Sequence, residues 1–339
     1  MPDSSHQPLV TVQDLSVKFV SRDATVHAVN GVSFALDNKE VLGILGESGS
    51  GKSVTLRALM RLLPAHKARL SGRVEVAGRD VMTMASDDLT RFRGATVAMV
   101  FQEPMTALDP VYTIGQQIVE TLVRHEGMSA GAATQRALEL LDMVQIPSAR
   151  RRFDAYPHQL SGGLRQRAMI ALALSCRPSL LLADEPTTAL DATVQIQILL
   201  LLRSLQAELG MAMIFVTHDL GVALEVSHRL AVMYAGRLVE TGPVAEVARR
   251  QRHPYTEGLM NSTVHEVPKG TRLTPISGSP PNLARLPPGC SFAPRCTYAI
   301  AACTAALPDL KVTGAQGPHP HLARCIRSEL VGKKRAVTT

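Results

Sequence analysis

An α/β fold with a parallel central sheet is predicted by three observations. Four short, almost uninterrupted apolar runs, VLGIL (41–45), VAMVF (97–101), LLLA (180–183) and AMIFV (212–216), have the length and composition of strands buried on both faces. Stretches of helical periodicity separate them, as crossovers between parallel strands require. Each run leads directly into polar residues: GESGSGKS, Gln102, Asp184 with Glu185, and Thr217 with His218. Open α/β sheets bind ligands at the carboxyl ends of their strands, so these four groups are expected at one site.

Ahead of and between these runs, VTVQDLSVKFV (10–20), GVSFAL (31–36) and GRVEVAG (72–78) alternate apolar and polar residues. That period predicts half-exposed antiparallel strands, with Asn30-Gly31 as a turn signal.

GESGSGKS, residues 46–53, fits G-x-x-x-x-G-K-[ST]. It follows a predicted strand and opens KSVTLRALMRLL, where Val54, Leu56, Leu59, Met60 and Leu63 suit a helix halted by Pro64. Gly46, Gly49 and Gly51 allow backbone N–H groups to face phosphate oxygens, and the helix N-terminus adds partial positive charge. Lys52 is expected at the β and γ phosphates and Ser53 at Mg²⁺. A plain Gly/Ser turn would not need the strand, the Lys-Ser pair and the helix together.

SLLLADEPTTALD (179–191) drives a strand into two adjacent carboxylates. Neighbours on a strand point opposite ways, so a division of labour follows: Asp184 supports Mg²⁺ and Glu185 is the general base for an attacking water. By itself the segment fits carboxylates that merely cap a strand. His218 is expected near the γ-phosphate, and Gln102 at Mg²⁺ or the water.

LSGGLRQR (160–167) opens another helix, with Ser161 as N-cap and Gly162 and Gly163 in a second anion-binding start. One nucleotide does not need two cradles in one chain. A dimer in which this segment closes over the partner's nucleotide accounts for both.

GESGSGKS, Gln102, LSGGLRQR, LLLADEP, ALD (189–191) and THD (217–219) stand in the order of the nucleotide-binding subunit of an ABC transporter, which residues 9–245 resemble. HPYTEGL (253–259), SGSPPNLARLPPGCSFAPRC (277–296) and QEPMTALDP (102–110) resemble the ATPases of bacterial dipeptide and oligopeptide importers, with nickel importers as near relatives. The resemblance implies a P-loop ABC domain over 1–250, with a RecA-like core, an antiparallel β subdomain and a helical subdomain at about 104–175, followed by an importer-type extension over 251–339. It implies ATP held by Phe19, Gly46, Ser48, Gly49, Ser50, Gly51, Lys52, Ser53 and Val54, with Ser161, Gly162 and Gly163 reaching the partner's nucleotide. Ser53, Gln102 and Asp184 would hold Mg²⁺; Glu185, His218 and Gln102 would act in hydrolysis. Phe19 would stack on adenine, although ordinary strand packing explains it equally. Leu164 stands where many ABC proteins have Gln. Implied partners are a second, non-identical ATPase, two membrane permeases and an extracytoplasmic binding protein.

The 339 residues carry a formal charge of +7, which suits nucleic acid or an anionic membrane surface. Only 4% aromatic residues and no Trp argue against a stacking surface for single strands, so no nucleic-acid partner is expected. There is no long heptad run and no second cassette, against a soluble ABC ATPase of DNA repair or translation. The first thirty residues lack a secretory pattern, and no run of about 18 apolar residues occurs. The expectation is a peripheral protein on the cytoplasmic face of the cell membrane.

Four of five cysteines fall late, at Cys290, Cys296, Cys303 and Cys325, with Cys176 alone on a helix. A reducing compartment argues against disulfides. Plain thiols and a four-thiolate metal site both remain; a proline-rich segment with little visible core would gain from a metal staple. Spacing alone does not separate zinc from iron. The resemblance favours a [4Fe–4S] cluster, and His319 and His321 keep zinc open.

Overall fold

The computed structural model describes residues 7–188, 190–262, 275–314 and 317–332. Ala189 of the ALD segment and the KKR run at 333–335 lie outside them. In chain order the elements are β1 (Val10–Val20), β2 (Thr25–Leu36), β3 (Val41–Leu45), α1 (Lys52–Leu59), β4 (Ala68–Val76), β5 (Arg79–Asp80), α2 (Ser86–Ala95), β6 (Val97–Val100), α3 (Ile114–Glu126), α4 (Ala130–Met143), α5 (Ala149–Phe153), α6 (Gly162–Leu174), β7 (Leu180–Asp184), α7 (Ala192–Leu209), β8 (Ala212–Thr217), α8 (Leu220–Val226), β9 (Arg229–Tyr234), β10 (Arg237–Pro243), α9 (Val244–Arg249), α10 (Pro254–Asn261), α11 (Ala301–Ala305), β11 (Lys311–Val312) and β12 (Leu322–Ala323). All four apolar runs are strands, and every residue of β3, β6, β7 and β8 is buried.

The chain divides into two compact units. The first comprises Met1–Val10, Leu36–Glu40 and Glu75–Phe215. Its strands run β8-β7-β6, and β6 pairs with β7 in parallel from Val97 opposite Leu180 to Val100 opposite Ala183. Helices α3 to α6 pack on one another, with α6 also against β6. Ile114, Ile118 and Leu122 recur every fourth residue and form the buried stripe of α3. A capping box starts that helix: Gln116 N–H donates to Thr113 Oγ1, and Thr113 N–H to Gln116 Oε1.

The second unit comprises Thr11–Ala35, Val41–Val74 and Val216–Thr339, so the phosphate loop and the C-terminal extension share it. β1 lies between β2 and β4, and a second group of strands runs β11-β12-β10-β9-β3. β3 pairs with β9 in parallel, and β10 pairs with β9 and β12 antiparallel.

Four expectations are corrected here. Asn30-Gly31 is not a turn but an irregularity inside β2: Gly31 has φ +64°, its N–H donates to Ser16 Oγ, and Asn30 N–H donates to Gly236 O. The chain reverses instead at Ser21–Ala24, where Ser21 N–H meets Ala24 O. α1 ends at Leu59, ahead of Pro64, because Arg61 is left-handed at φ +49°. RLAVMY, a fifth fully buried strand beside β3, escaped the apolar-run reading because it opens on an arginine. The extension also has a core of its own: Tyr255 and Phe292 pack on Tyr234 with ring centroids 4.7 and 5.3 Å away.

Candidate functional site

The phosphate loop is shaped by close backbone approaches. A Cβ on Gly46 would lie 2.3 Å from Met233 O, and one on Gly51, at φ +101°, 2.4 Å from Ala28 O. Gly236 N–H fastens Ser50 O, and Thr55 N–H closes the first helical turn on Gly51 O. Lys52 is buried, and its ammonium donates to the carbonyls of Gly46 at 2.8 Å and Glu47 at 3.0 Å. Ser50 is buried too, and among the described residues its hydroxyl has no protein partner. Ser48 and Gly49 are exposed, while Ser53 and Val54 are half-buried at the start of α1. Backbone N–H groups at a helix start, an ammonium and an unpartnered hydroxyl together suit phosphate oxygens. Phe19, half-buried near the end of β1, and exposed His218, just after β8, belong to the same unit.

The carboxylates lie in the other unit, where β7 ends on Asp184, 1% exposed. The strand then breaks: Glu185 takes φ +45°, left-handed backbone that costs a non-glycine residue about 1–3 kcal/mol. Because the strand has ended, the alternation of neighbours no longer fixes where Glu185 points. Its Oε2 accepts the Thr188 hydroxyl at 2.9 Å and the Gln102 amide at 3.4 Å. Gln102 and Glu185, 83 positions apart in the chain, are thus brought together as their strand ends suggest.

At LSGG, Ser161 caps α6 as expected, accepting Leu164 N–H at 3.4 Å. Ser161 and Gly162 are exposed. Gly163 is required by packing, since a Cβ there would lie 2.7 Å from Val194 Cγ1. Leu164 uses its backbone in the cap, so the departure at that side chain leaves the cap intact.

Cys290, Cys296, Cys303 and Cys325 line one pocket with His253 and Arg324, and none is in a disulfide. Gly289 lets its segment close onto α11, since its Cβ would stand 2.4 Å from Cys303 O. Backbone N–H groups point at the sulfurs: Tyr298 N to Cys296 Sγ at 3.4 Å and Arg327 N to Cys325 Sγ at 3.3 Å. Burial raises the Cys290 and Cys296 thiols and pushes Cys325 to about 11. Neither histidine expected near Cys325 joins them. His321 Nε2 bonds Glu240 Oε1 at 2.7 Å, and His319 meets the Arg229 guanidinium.

Sequence reasoning missed the hold of the C-terminal segment on the phosphate loop. Tyr255 Oη accepts Glu47 N–H at 2.8 Å, and Arg295 pairs with the Glu47 carboxylate. HPY was visible as a motif, but nothing local in either segment signals its partner.

The ABC transporter family matches residues 29–188, and the oligopeptide/dipeptide transporter C-terminal region matches residues 239–303. A Brucella melitensis chain named as a peptide import ATP-binding protein is 49% identical over 95% of this chain and 98% of its own. One from Brucella abortus is 50% identical over 91% of this chain and 93% of its own. Among solved structures, the dimeric ATP-binding cassette MJ0796 in a post-hydrolysis state with ADP and Pi is 30% identical, with TM-score 0.62 over 69% of this chain and 98% of that one. CbiO1 from Clostridium perfringens, part of an ABC transporter complex, is 27% identical, with TM-score 0.61 over 72% of this chain and 92% of that one. With an ATP-binding cassette and an oligopeptide-type C-terminal region in one chain, this protein belongs to the ABC transporter ATPase family, in its oligopeptide/dipeptide branch.

Proposed function

We propose that the chain is the ATP-hydrolysing subunit that powers import of dipeptides or oligopeptides through a membrane ABC transporter. The observation that carries this reading is likeness to peptide import ATP-binding proteins at about half identity over nearly the whole chain. The loop N–H groups and Lys52 neutralise the phosphates, while Phe19 supports the adenine. By the family resemblance, Ser53, Gln102 and Asp184 would hold Mg²⁺, which would offset charge on the β and γ phosphates. Glu185 takes the proton of the water that attacks the γ-phosphorus; the bond to the β-phosphate oxygen breaks, and ADP and phosphate leave. His218 steadies the γ-phosphate. Exposed Ser161 and Gly162 reach the nucleotide of a paired, non-identical ATPase, so that two ATP lie between two cassettes, and hydrolysis releases the pair.

No helix among the described residues is long and apolar enough to cross a membrane. A peripheral place on the cytoplasmic face of the membrane, under two permeases fed by a binding protein, fits that fact. Val111, Tyr112 and Val123, at 68, 50 and 41% exposure, offer the helical region's apolar face to the permeases. Membrane vesicles holding this chain with the permeases and ATPase encoded beside it should accumulate labelled dipeptide when ATP is inside, and Lys52→Ala should abolish the uptake. Nickel uptake without peptide uptake would move the chain to the nickel branch; a gene neighbourhood lacking permeases would overturn the importer reading.

The four thiols are read as ligands of a [4Fe–4S] cluster. A zinc ion bound by four thiolates at about 2.3 Å draws its sulfurs to within about 4 Å of one another. Among the described residues, no cysteine belongs to a set of three or more ligand atoms within 4.8 Å of one another. A cube of iron and sulfide sets its thiolates further apart, and N–H···S bonds favour its anionic ligands. Anaerobically purified protein should be brown, with about four irons per chain, and Cys296→Ser should lose them. Stoichiometric zinc, or a metal-free protein, would sink the cluster.

A further inference from the structure

The C-terminal segment holds the phosphate loop through one arginine. The Arg295 side chain is 6% exposed and forks onto Glu47, with Nη1 to Oε2 at 2.9 Å and Nη2 to Oε1 at 3.1 Å. Its remaining donors are engaged as well: Nε to Ser277 O at 2.9 Å, Nη2 to Ile276 O at 3.3 Å and Nη1 to Tyr234 Oη at 3.3 Å. The guanidinium carbon stands 5.8 and 5.9 Å from the ring centroids of Tyr234 and Phe292. Burial would lower this guanidinium, but its bonds to Glu47 and Tyr234 outweigh burial and raise it, so it stays charged.

Glu47 is the second residue of the phosphate loop, and its carbonyl accepts the Lys52 ammonium. Both of its ends are gripped from the C-terminal segment, the backbone N–H by Tyr255 and the carboxylate by Arg295. A bare carboxylate beside a triphosphate cradle repels the ligand, and a paired one repels it far less. Arg295 is also the neighbour of Cys296, so the brace and the cysteine pocket share one stretch of chain.

We propose that Arg295 is a positioning residue for nucleotide binding: by fixing and neutralising Glu47 it makes the phosphate loop's affinity for ATP depend on the C-terminal segment. The inference rests on the assignment of ATP to this loop. Linkage is reciprocal, so bound nucleotide steadies the segment around Arg295 and Cys296 by the same factor.

The test is equilibrium binding of Mg-ATP to the full chain. Lys52→Ala serves as the control: if wild type does not bind, or Lys52→Ala binds equally well, the ATP assignment itself has failed. With that assignment standing, Arg295→Gln should bind about tenfold more weakly and Arg295→Lys should fall between, because an ammonium keeps the charge and loses the fork. Glu47→Gln should bind at least as tightly as wild type, and the double variant Glu47→Gln with Arg295→Gln should recover most of the loss. Urea midpoints of all the variants separate a loss of binding from a loss of fold; a double variant as weak as Arg295→Gln overturns the proposal, as does an unchanged Arg295→Gln. Hydrogen exchange supplies the reverse reading and needs only wild type and Arg295→Lys. Mg-ATP should slow exchange over residues 288–298 in wild type and less in Arg295→Lys; equal protection in both, or none in wild type, also overturns it.

Discussion

Glu185→Gln is expected to lower ATP turnover by about 10²–10⁴-fold, the usual contribution of a positioned general base, with Mg-ATP binding kept. The substitution is nearly isosteric. Its amide oxygen can still accept the Thr188 hydroxyl that reaches Glu185 Oε2 at 2.9 Å, so the side chain has no reason to move. What the amide cannot do is take a proton from water. The strained backbone at φ +45° frees Glu185 from strand alternation, and Gln102 helps to orient the carboxylate. Phosphate release and nucleotide affinity, measured on the same preparation, separate loss of chemistry from loss of binding. With hydrolysis blocked and binding retained, the ATP-bound pair of cassettes should also persist on size exclusion. Turnover within a few fold of wild type would remove Glu185 from the role of base.

The parts of this site that were legible are those written in short, local patterns. GESGSGKS needs Gly46 and Gly51 because Met233 O and Ala28 O leave no room for a Cβ, and it needs its lysine beside them; the pattern that results spans eight residues. The buried strands before each polar group are legible for a similar reason, since a strand covered on both faces tolerates only apolar residues. Ser161 was legible as a cap because a hydroxyl one residue ahead of a helix has few other uses. Contacts across the chain were legible only where strand ends announced them, as for Gln102 and Glu185. Arg295 and Glu47 are 248 positions apart, and neither residue type announces a partner at that distance. Asn30-Gly31 misled because its left-handed glycine serves an irregularity inside a strand, where the same residues more often make a hairpin. The extension looked coreless because its aromatic residues are few and dispersed; Tyr255 and Phe292 pack on each other and on Tyr234 of β9.

Glu240→Ala should destabilise the chain by about 3–5 kcal/mol in urea unfolding, the largest single loss of stability expected. Glu240 sits in β10 at 0% exposure, and three donors converge on it. Arg252 N–H reaches Oε1 at 2.7 Å, His253 N–H reaches Oε2 at 2.9 Å, and His321 Nε2 lies 2.7 Å from Oε1. One buried carboxylate thus ties the start of α10 and the β12 edge to the same strand. Truncation leaves all three donors without a partner away from water, and the cost of such orphaned groups exceeds the worth of the bonds themselves. Glu240→Gln should cost less, because one amide oxygen still accepts while its NH₂ faces a donor. Acid should act on the same corner. Burial lowers His253 from the ordinary 6.5 to about 3, and its ring accepts Tyr255 N–H at 3.1 Å. Between those values the unfolded chain binds a proton that the folded one does not, so stability falls as pH drops from about 6.5 toward about 3. A Glu240→Ala chain with a wild-type urea midpoint would show that the three donors find water, and that this carboxylate does not fasten the extension to the strand.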